Sequence, residues 1–119
     1  MMTIRPEQMK TLSEVEIQKF VDRTITQLRA SFPEEVGMIP EAQLHATIRK
    51  SIDVASTYGI TDEVDVQRYI EYVVRYGPDF DTNATIPWAG EILRNREMTG
   101  TDKMNLIDDY DLFTHLARP

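Results

Sequence analysis

Apolar side chains recur every three or four residues through most of this chain, and glycine or proline interrupts each such segment. That spacing places the apolar side chains on one face of an α-helix, whereas a half-buried strand alternates apolar and polar residues. Proline and glycine end helices because proline lacks an amide hydrogen and glycine readily adopts left-handed backbone. The pattern therefore predicts several helices and no convincing strand.

The first long segment carries both a start and a stop signal. Ser13 is followed three residues later by Glu16, which is the form of a capping box at a helix N-terminus. Apolar residues at helical spacing follow, and Pro33 then prevents continuation. We predict a helix from about residue 14 to 31, preceded by a short leading helix near Pro6.

Two further helices are predicted in the middle of the chain. Pro40 and Glu41 begin one that runs from about 41 to 58, with Gly59 just past its end, where a left-handed conformation is common. The next begins at a cap formed by Thr61-Asp62 and ends before Gly77. It is apolar on more than one side, which is typical of a central helix.

The last third of the sequence contains a ten-residue connection, GPDFDTNATI, and then the patterns of two helices. Pro87 opens a short helix, Met98 to Gly100 breaks it, and Thr101-Asp102 is the predicted cap of the last helix. The stripe of the last helix that we expect to face the protein core comprises Leu106, Ile107, Tyr110, Phe113 and Ala117. The predicted fold is all-α, a compact single-domain bundle of five to six helices spanning residues 1–119.

Composition excludes several classes of protein. The chain has 119 residues and no cysteine, so neither a disulfide framework nor a thiolate site is possible. No apolar run reaches the length of a signal peptide or of a membrane span, which needs about 20 residues. A cytoplasmic protein is therefore expected.

Negative charge is concentrated in the second half of the chain. Residues 1–60 carry eight acids and seven bases, whereas residues 61–119 carry twelve acids and six bases, which gives net charges of −1 and −6. Nucleic acid and anionic membranes bind through lysine and arginine. We therefore expect no nucleic acid and no membrane as partners, whereas a basic protein surface would be attracted.

The connection before Pro87 contains D-x-D-x-N, formed by Asp79, Asp81 and Asn83. A calcium loop of the helix-loop-helix type also requires glycine at position 6 and glutamate at position 12. Those positions hold Ala84 and Gly90, so the favoured interpretation is that the polar side chains bond to free backbone groups between helices. A weak, irregular cation site remains the alternative.

No other pattern indicates catalysis or a cofactor. His45 and His115 are the only histidines, and neither belongs to H-E-x-x-H or to a close group of metal ligands. The serines lie in helix caps or helix bodies, with no G-x-S-x-G and no glycine-rich phosphate loop. We therefore predict no catalytic residue, no metal ligand and no cofactor, and a protein that is not an enzyme.

The segment from Asp108 to Phe113 combines acids with aromatic residues. It is either an exposed, solvated helix face or a contact in which the aromatic side chains anchor a partner and the acids attract it. The predicted partner-binding residues are Asp108, Asp109, Tyr110, Asp111 and Phe113. Trp88, the only tryptophan, is either a core residue under a loop or a binding hot spot.

Three strings carry a family resemblance: Tyr58-Gly59-Ile60-Thr61, Tyr76-Gly77-Pro78-Asp79-Phe80-Asp81, and Pro87-Trp88-Ala89 with Ile92-Leu93. Together they resemble a pattern in small acidic helical proteins of proteobacteria, encoded among type VI secretion genes. The resemblance covers about residues 40 to 95 and brings no catalytic residues. It implies a cytoplasmic accessory role, either binding an effector or its chaperone before loading, or neutralising a toxin as an immunity protein.

Three hypotheses follow in order of preference. The first is a protein-binding adaptor or co-chaperone for a secreted effector. The second is an immunity protein whose acidic face blocks a toxin. The third is an enzyme or metal-dependent protein that uses the Asp79-Asp81-Asn83 loop. The partner, the binding surface and the oligomeric state stay open at the level of sequence.

Overall fold

The computed structural model describes residues 12–117, with side chains described as far as residue 114. Within that range the chain forms an all-α single-domain bundle with no strand, which confirms the predicted fold class. The α-helices are α1 (Glu14–Ser31), α2 (Pro33–Val36), α3 (Glu41–Thr57), α4 (Glu63–Tyr76), α5 (Pro87–Leu93) and α6 (Gly100–Ala117), with a 3-10 helix at Phe80–Thr82. No helix in the described range is long and apolar enough to span a membrane. The leading helix predicted near Pro6 lies outside the described residues.

The start of α1 is the capping box that the sequence predicts. The Glu16 amide donates to the Ser13 hydroxyl at 3.2 Å, and the Ser13 amide donates to the Glu16 carboxylate at 3.1 Å. These bonds to Ser13 hold the pKa of Glu16 below its ordinary value. The predicted bounds of this helix, 14 to 31, match the structure.

Helix α4 is the central helix, as its apolar pattern predicts. It packs against α1, α2, α3, α6 and the 3-10 helix. Two of its buried tyrosines contact the buried ring of Phe80, Tyr69 edge-on at 5.7 Å and Tyr72 stacked at 5.1 Å between ring centroids. The 3-10 helix therefore covers one side of α4 with an aromatic side chain.

The segment between the two predicted helices, from Pro33 to Pro40, contains a helical turn that sequence reasoning missed. Pro33 ends α1, as predicted, but it is also the first residue of α2, a position that suits its fixed φ angle. The turn buries Val36 completely. A four-residue helix is too short for its apolar spacing to be recognised.

A close backbone approach joins the end of α3 to the start of α6. Gly59 has a φ of +78°, the left-handed conformation predicted at this position. A β-carbon at Gly100 would lie 2.5 Å from the Gly59 carbonyl oxygen. Glycine at position 59 therefore permits the turn, and glycine at position 100 permits the two segments to meet.

The predicted cap of α6 is wrong by two residues. The Asp102 amide donates to the Thr99 hydroxyl at 3.0 Å, so Thr99 caps a helix that begins at Gly100. The Thr101 hydroxyl instead donates to the buried carboxylate of Asp65 at 2.5 Å. Thr101 therefore joins α6 to α4 rather than capping α6.

The predicted inner stripe of α6 is also largely wrong. The buried side chains described on this helix are Lys103, Met104, Ile107 and Asp111. Only Ile107 belongs to the predicted stripe, whereas Tyr110 and Phe113 are 46% and 74% exposed. Leu106 is partly buried, and the side chain of Ala117 lies outside the described set. The reason is that two charged residues, Lys103 and Asp111, face inward with polar partners.

Candidate protein-binding surface

Helix α6 lies beside α4, and polar pairs join the two helices along their length. The pairs are Thr101 with Asp65, Asn105 and Asp108 with Arg68, Asp108 with Tyr72, and Asp111 with Arg75 and Tyr76. Residue numbers rise together in both partners, so the two helices run in the same direction. These contacts fix which face of α6 points inward.

Asp108 belongs to this inner network. Its carboxylate accepts hydrogen bonds from the Arg68 guanidinium and the Tyr72 hydroxyl, each at 2.6 Å. Partial burial disfavours the charge of Arg68, but the bonds and attraction from Asp108 and Asp65 outweigh it and raise the pKa of Arg68. The Asp108 side chain is still 47% exposed, so it contributes negative charge to the surface as well.

Asp111 is more buried than Asp108, with 8% of its surface exposed. Its carboxylate accepts hydrogen bonds from the Arg75 guanidinium at 2.9 Å and from the Tyr76 hydroxyl. The same guanidinium lies over the rings of Tyr72 and Tyr76, 5.2 and 5.3 Å from their centroids. Such contacts stabilise the packing of α6 on α4.

The opposite side of α6 carries what we call the outer face: Leu106, Asp109, Tyr110 and Phe113. Asp109 is exposed, and the two aromatic residues belong to the exposed large apolar side chains in the described part of the chain. An open depression of about 330 Å³ is lined by Asp109, Tyr110, Phe113 and Thr114. Exposed apolar side chains grouped in this way are typical of binding surfaces.

Trp88 extends the outer face onto α5. Its ring stacks on that of Tyr110, with centroids 5.7 Å apart and planes 20° from parallel. The side chain is half-buried, so it is neither wholly in the core nor freely exposed. This stack holds one aromatic residue of the outer face in place, as a preorganised binding surface requires.

The five predicted partner-binding residues therefore divide between two sides of α6. Asp109, Tyr110 and Phe113 point outward, whereas Asp108 and Asp111 bond to α4. Sequence reasoning missed these bonds, although the spacing of Arg68, Tyr72 and Arg75 matches that of the two acids. A partner-binding role for the set stays a prediction.

Two of the three polar side chains of the D-x-D-x-N loop, Asp81 and Asn83, bond to other residues of the chain. Asp81 accepts a hydrogen bond from the Tyr58 hydroxyl at 2.6 Å. Asn83 accepts from the backbone amide and the hydroxyl of Thr85, at 2.9 and 2.6 Å, which is the turn geometry favoured at the sequence level. The residues described here hold no group of three or more His, Cys, Asp or Glu side chains that could bind a metal ion.

The structure describes the side chain of one of the two histidines, His45. Its ring lies 3.6 Å from an Asp22 oxygen and 3.9 Å from a Glu41 oxygen. Both acids are exposed. The side chain of His115 lies outside the described set.

Lys103 is a structural residue that no sequence pattern singled out. Its side chain is buried, and its ammonium group donates to the carbonyl oxygens of Tyr58 at 2.8 Å and Leu93 at 2.7 Å. Those carbonyls lie at the C-terminal ends of α3 and α5, where the helix dipole favours a cation. Burial lowers the pKa of Lys103. A single cation thus ties two helix ends to α6.

Buried tyrosines make the fold sensitive to alkali. Burial, followed by the hydrogen bond to Asp81, raises the pKa of Tyr58 to about 12, and burial also raises the pKa values of Tyr69 and Tyr72. A tyrosine whose pKa is raised by folding stabilises the fold fully below its ordinary pKa, and that stability is lost as pH rises toward the folded pKa. We expect each to lower the free energy of unfolding by about 1.4 kcal/mol per pH unit above pH 10.

Urea unfolding midpoints measured from pH 9 to 12 check this expectation. Lys103 acts in the opposite sense, because its lowered pKa makes stability rise with pH until the ordinary lysine value near 10.4 is passed. The loss of stability with rising pH should therefore be steepest above the ordinary lysine pKa of about 10.4. In Tyr72→Phe the slope should be shallower, and a midpoint that stays constant through pH 12 would contradict the assignment.

Comparison of this chain with protein-family models, curated proteins and solved structures finds no match.

Proposed function

We propose that this protein is a non-enzymatic accessory protein that binds another protein, acting as a cytoplasmic adaptor or co-chaperone for a type VI secretion effector. The observation that carries the proposal is the outer face of α6, where Tyr110 and Phe113 are exposed beside the half-buried Trp88. The secretion context comes from the motif resemblance alone.

Two physical features support a binding role for the outer face. Aromatic side chains supply large contact areas with little loss of conformational freedom, and they dominate the energies of many protein interfaces. The inner network anchors α6 to α4 independently of the outer residues. The outer face can therefore contact a partner without any rearrangement of the core.

An immunity protein is the second candidate. The exposed acids near the outer face, Asp108 and Asp109, favour a basic target, and many toxins that act on nucleic acid are basic because they must bind phosphate. A metal-dependent function receives less support, since Asp81 and Asn83 already bond to Tyr58 and Thr85.

Co-expression with type VI secretion effectors and their chaperones tests the proposal. We expect an effector, or its chaperone, to co-purify with the tagged protein. Tyr110→Ser/Phe113→Ser should abolish recovery while leaving the thermal unfolding midpoint within a few degrees. The matched control, Val15→Ser/Val64→Ser, alters two side chains that are 64% and 71% exposed elsewhere and should leave recovery unchanged.

Equal loss of recovery in both double variants, or none in either, would reject the outer face as the binding surface. Rescue of cells that express the neighbouring toxin would instead support the immunity role.

A further inference from the structure

The outer face has the residue spacing of a helix-packing seam. Leu106, Tyr110 and Phe113 are separated by four and then three residues, which is the spacing of the a and d positions in a coiled coil. Leu106 is partly buried, whereas Tyr110 and Phe113 are exposed. The inner residues of α6 already pack against the rest of the bundle. On this second apolar stripe Tyr110 contacts Trp88 of α5 on one side, and Phe113 is 74% exposed.

The charge beside this seam is uniformly negative on α6. Among its described side chains, the exposed charged residues are Asp102, Asp108 and Asp109. The only base among these side chains, Lys103, is buried against two carbonyls. Asp109 immediately precedes Tyr110 and lines the same depression as Phe113. A segment that packs on the seam therefore encounters carboxylates.

Nearby cations do not reverse this sign. Arg75 lines one cavity with Trp88 and is paired with Asp111, and Arg68 is paired with Asp108. The Arg94 guanidinium lies over Gly90, in a depression that it shares with Asp81 and Glu91.

A second copy of this chain fits the seam poorly. Two outer faces brought together would each contribute Asp109, and like charges at an interface oppose association. The chain as a whole carries a net charge of −7. Charge complementarity therefore favours a different molecule with basic residues.

From this geometry we propose that the outer face binds an amphipathic α-helix whose apolar stripe is flanked by lysine or arginine. The proposal rests on the protein-binding function above and specifies the chemistry of the partner's segment. Apolar side chains of that helix pack between Tyr110 and Phe113 beside Trp88, and its bases lie against Asp109. This is the helix-in-groove mode of recognition, with charge setting the choice of partner.

Three fluorescein-labelled synthetic peptides test the proposal by fluorescence anisotropy against the full chain at physiological salt. The first has leucine at heptad a and d positions with lysine at e and g; the second replaces lysine with glutamate; the third is a scrambled form of the first. We expect the first to bind at least about tenfold more tightly than the other two, and Tyr110→Ser/Phe113→Ser to weaken it about thirtyfold. Val15→Ser/Val64→Ser should have no effect.

Several results would overturn this inference. Equal binding of the lysine and scrambled peptides would mean that charge alone attracts them, without packing on the seam. If the lysine peptide does not bind, or if the glutamate peptide binds more tightly, the basic amphipathic helix is rejected as the partner segment. Binding that survives Tyr110→Ser/Phe113→Ser would place the contact elsewhere. A dimer mass by light scattering that the same substitutions convert to monomer would assign the seam to a second copy.

The two proposals can fail separately. If the co-expressed effector is captured through Tyr110 and Phe113 but the lysine peptide does not bind, the binding function stands and the basic helix is rejected. If the lysine peptide binds as expected but no effector is captured, the seam stands and the secretion role fails.

Discussion

Asp111→Ala should lower the free energy of unfolding by about 3 kcal/mol, because it removes the carboxylate of a largely buried ion pair together with the charge-assisted hydrogen bonds that it accepts. The Asp111 carboxylate accepts from Arg75 at 2.9 Å and from the Tyr76 hydroxyl. Without it, the guanidinium that lies over Tyr72 and Tyr76 loses its counter-charge. Helix α6 would then lose an anchor near its C-terminal end.

Asp109→Ala is the matched control, since it removes the same chemical group two residues away on the exposed side of α6. Urea unfolding should place it within about 0.5 kcal/mol of the parent, as is usual for surface substitutions. Similar losses in the two variants would contradict the assignment of an inner and an outer face.

Lys103→Met should be the second most damaging change, with a loss of about 2 kcal/mol. The substitution keeps most of the side-chain volume but leaves the carbonyl oxygens of Tyr58 and Leu93 without the donor that bonds them at 2.8 and 2.7 Å. An unsatisfied buried acceptor costs about 1–3 kcal/mol. The apolar methionine avoids the cost of burying an ammonium group, which reduces the net loss.

Lys50→Met provides the comparison, because Lys50 is exposed on α3 and the same atoms are changed. Chemical denaturation followed by circular dichroism should find it close to the parent. A Lys103→Met protein as stable as Lys50→Met would mean that water satisfies the two carbonyls as well as the lysine does.

Local signals in the sequence predict the early helices well. The bounds of α1 follow from Ser13, Glu16 and Pro33, each of which acts on the backbone within one turn of its own position. The end of α3 follows in the same way from Gly59, whose φ is positive as predicted. Signals of this kind depend on neighbouring residues, so one sequence is enough to interpret them.

The orientation of α6 could not be predicted, because it depends on contacts distant in sequence. This helix has apolar residues on two sides, and periodicity alone does not say which side meets the core. The decision is made by Lys103 and Asp111, whose partners Tyr58 and Arg75 lie on other parts of the chain. Charged residues are normally assigned to the surface. Sequence reasoning therefore assigns the side of α6 that carries Lys103 and Asp111 to solvent, although it faces the core.

The same effect explains what could be predicted of the binding surface. Tyr110 and Phe113 were recognised both as core candidates and as partner anchors, and only their exposure in the folded chain separates these interpretations. The Asp109 side chain is exposed on the same side of α6. The stack of Trp88 on Tyr110 joins residues from two helices, so no local pattern in the sequence indicates it.

Site-specific photo-crosslinking in cells tests the central claim, that the outer face of α6 contacts a protein partner. A benzophenone amino acid would replace Phe113, which is 74% exposed, or, as the control, Val64, which is 71% exposed on α4. Irradiation should yield a discrete heavier species from position 113 that contains a secretion effector or its chaperone, and no such species from position 64. The absence of an adduct at 113, or the same adduct from both positions, would contradict the claim.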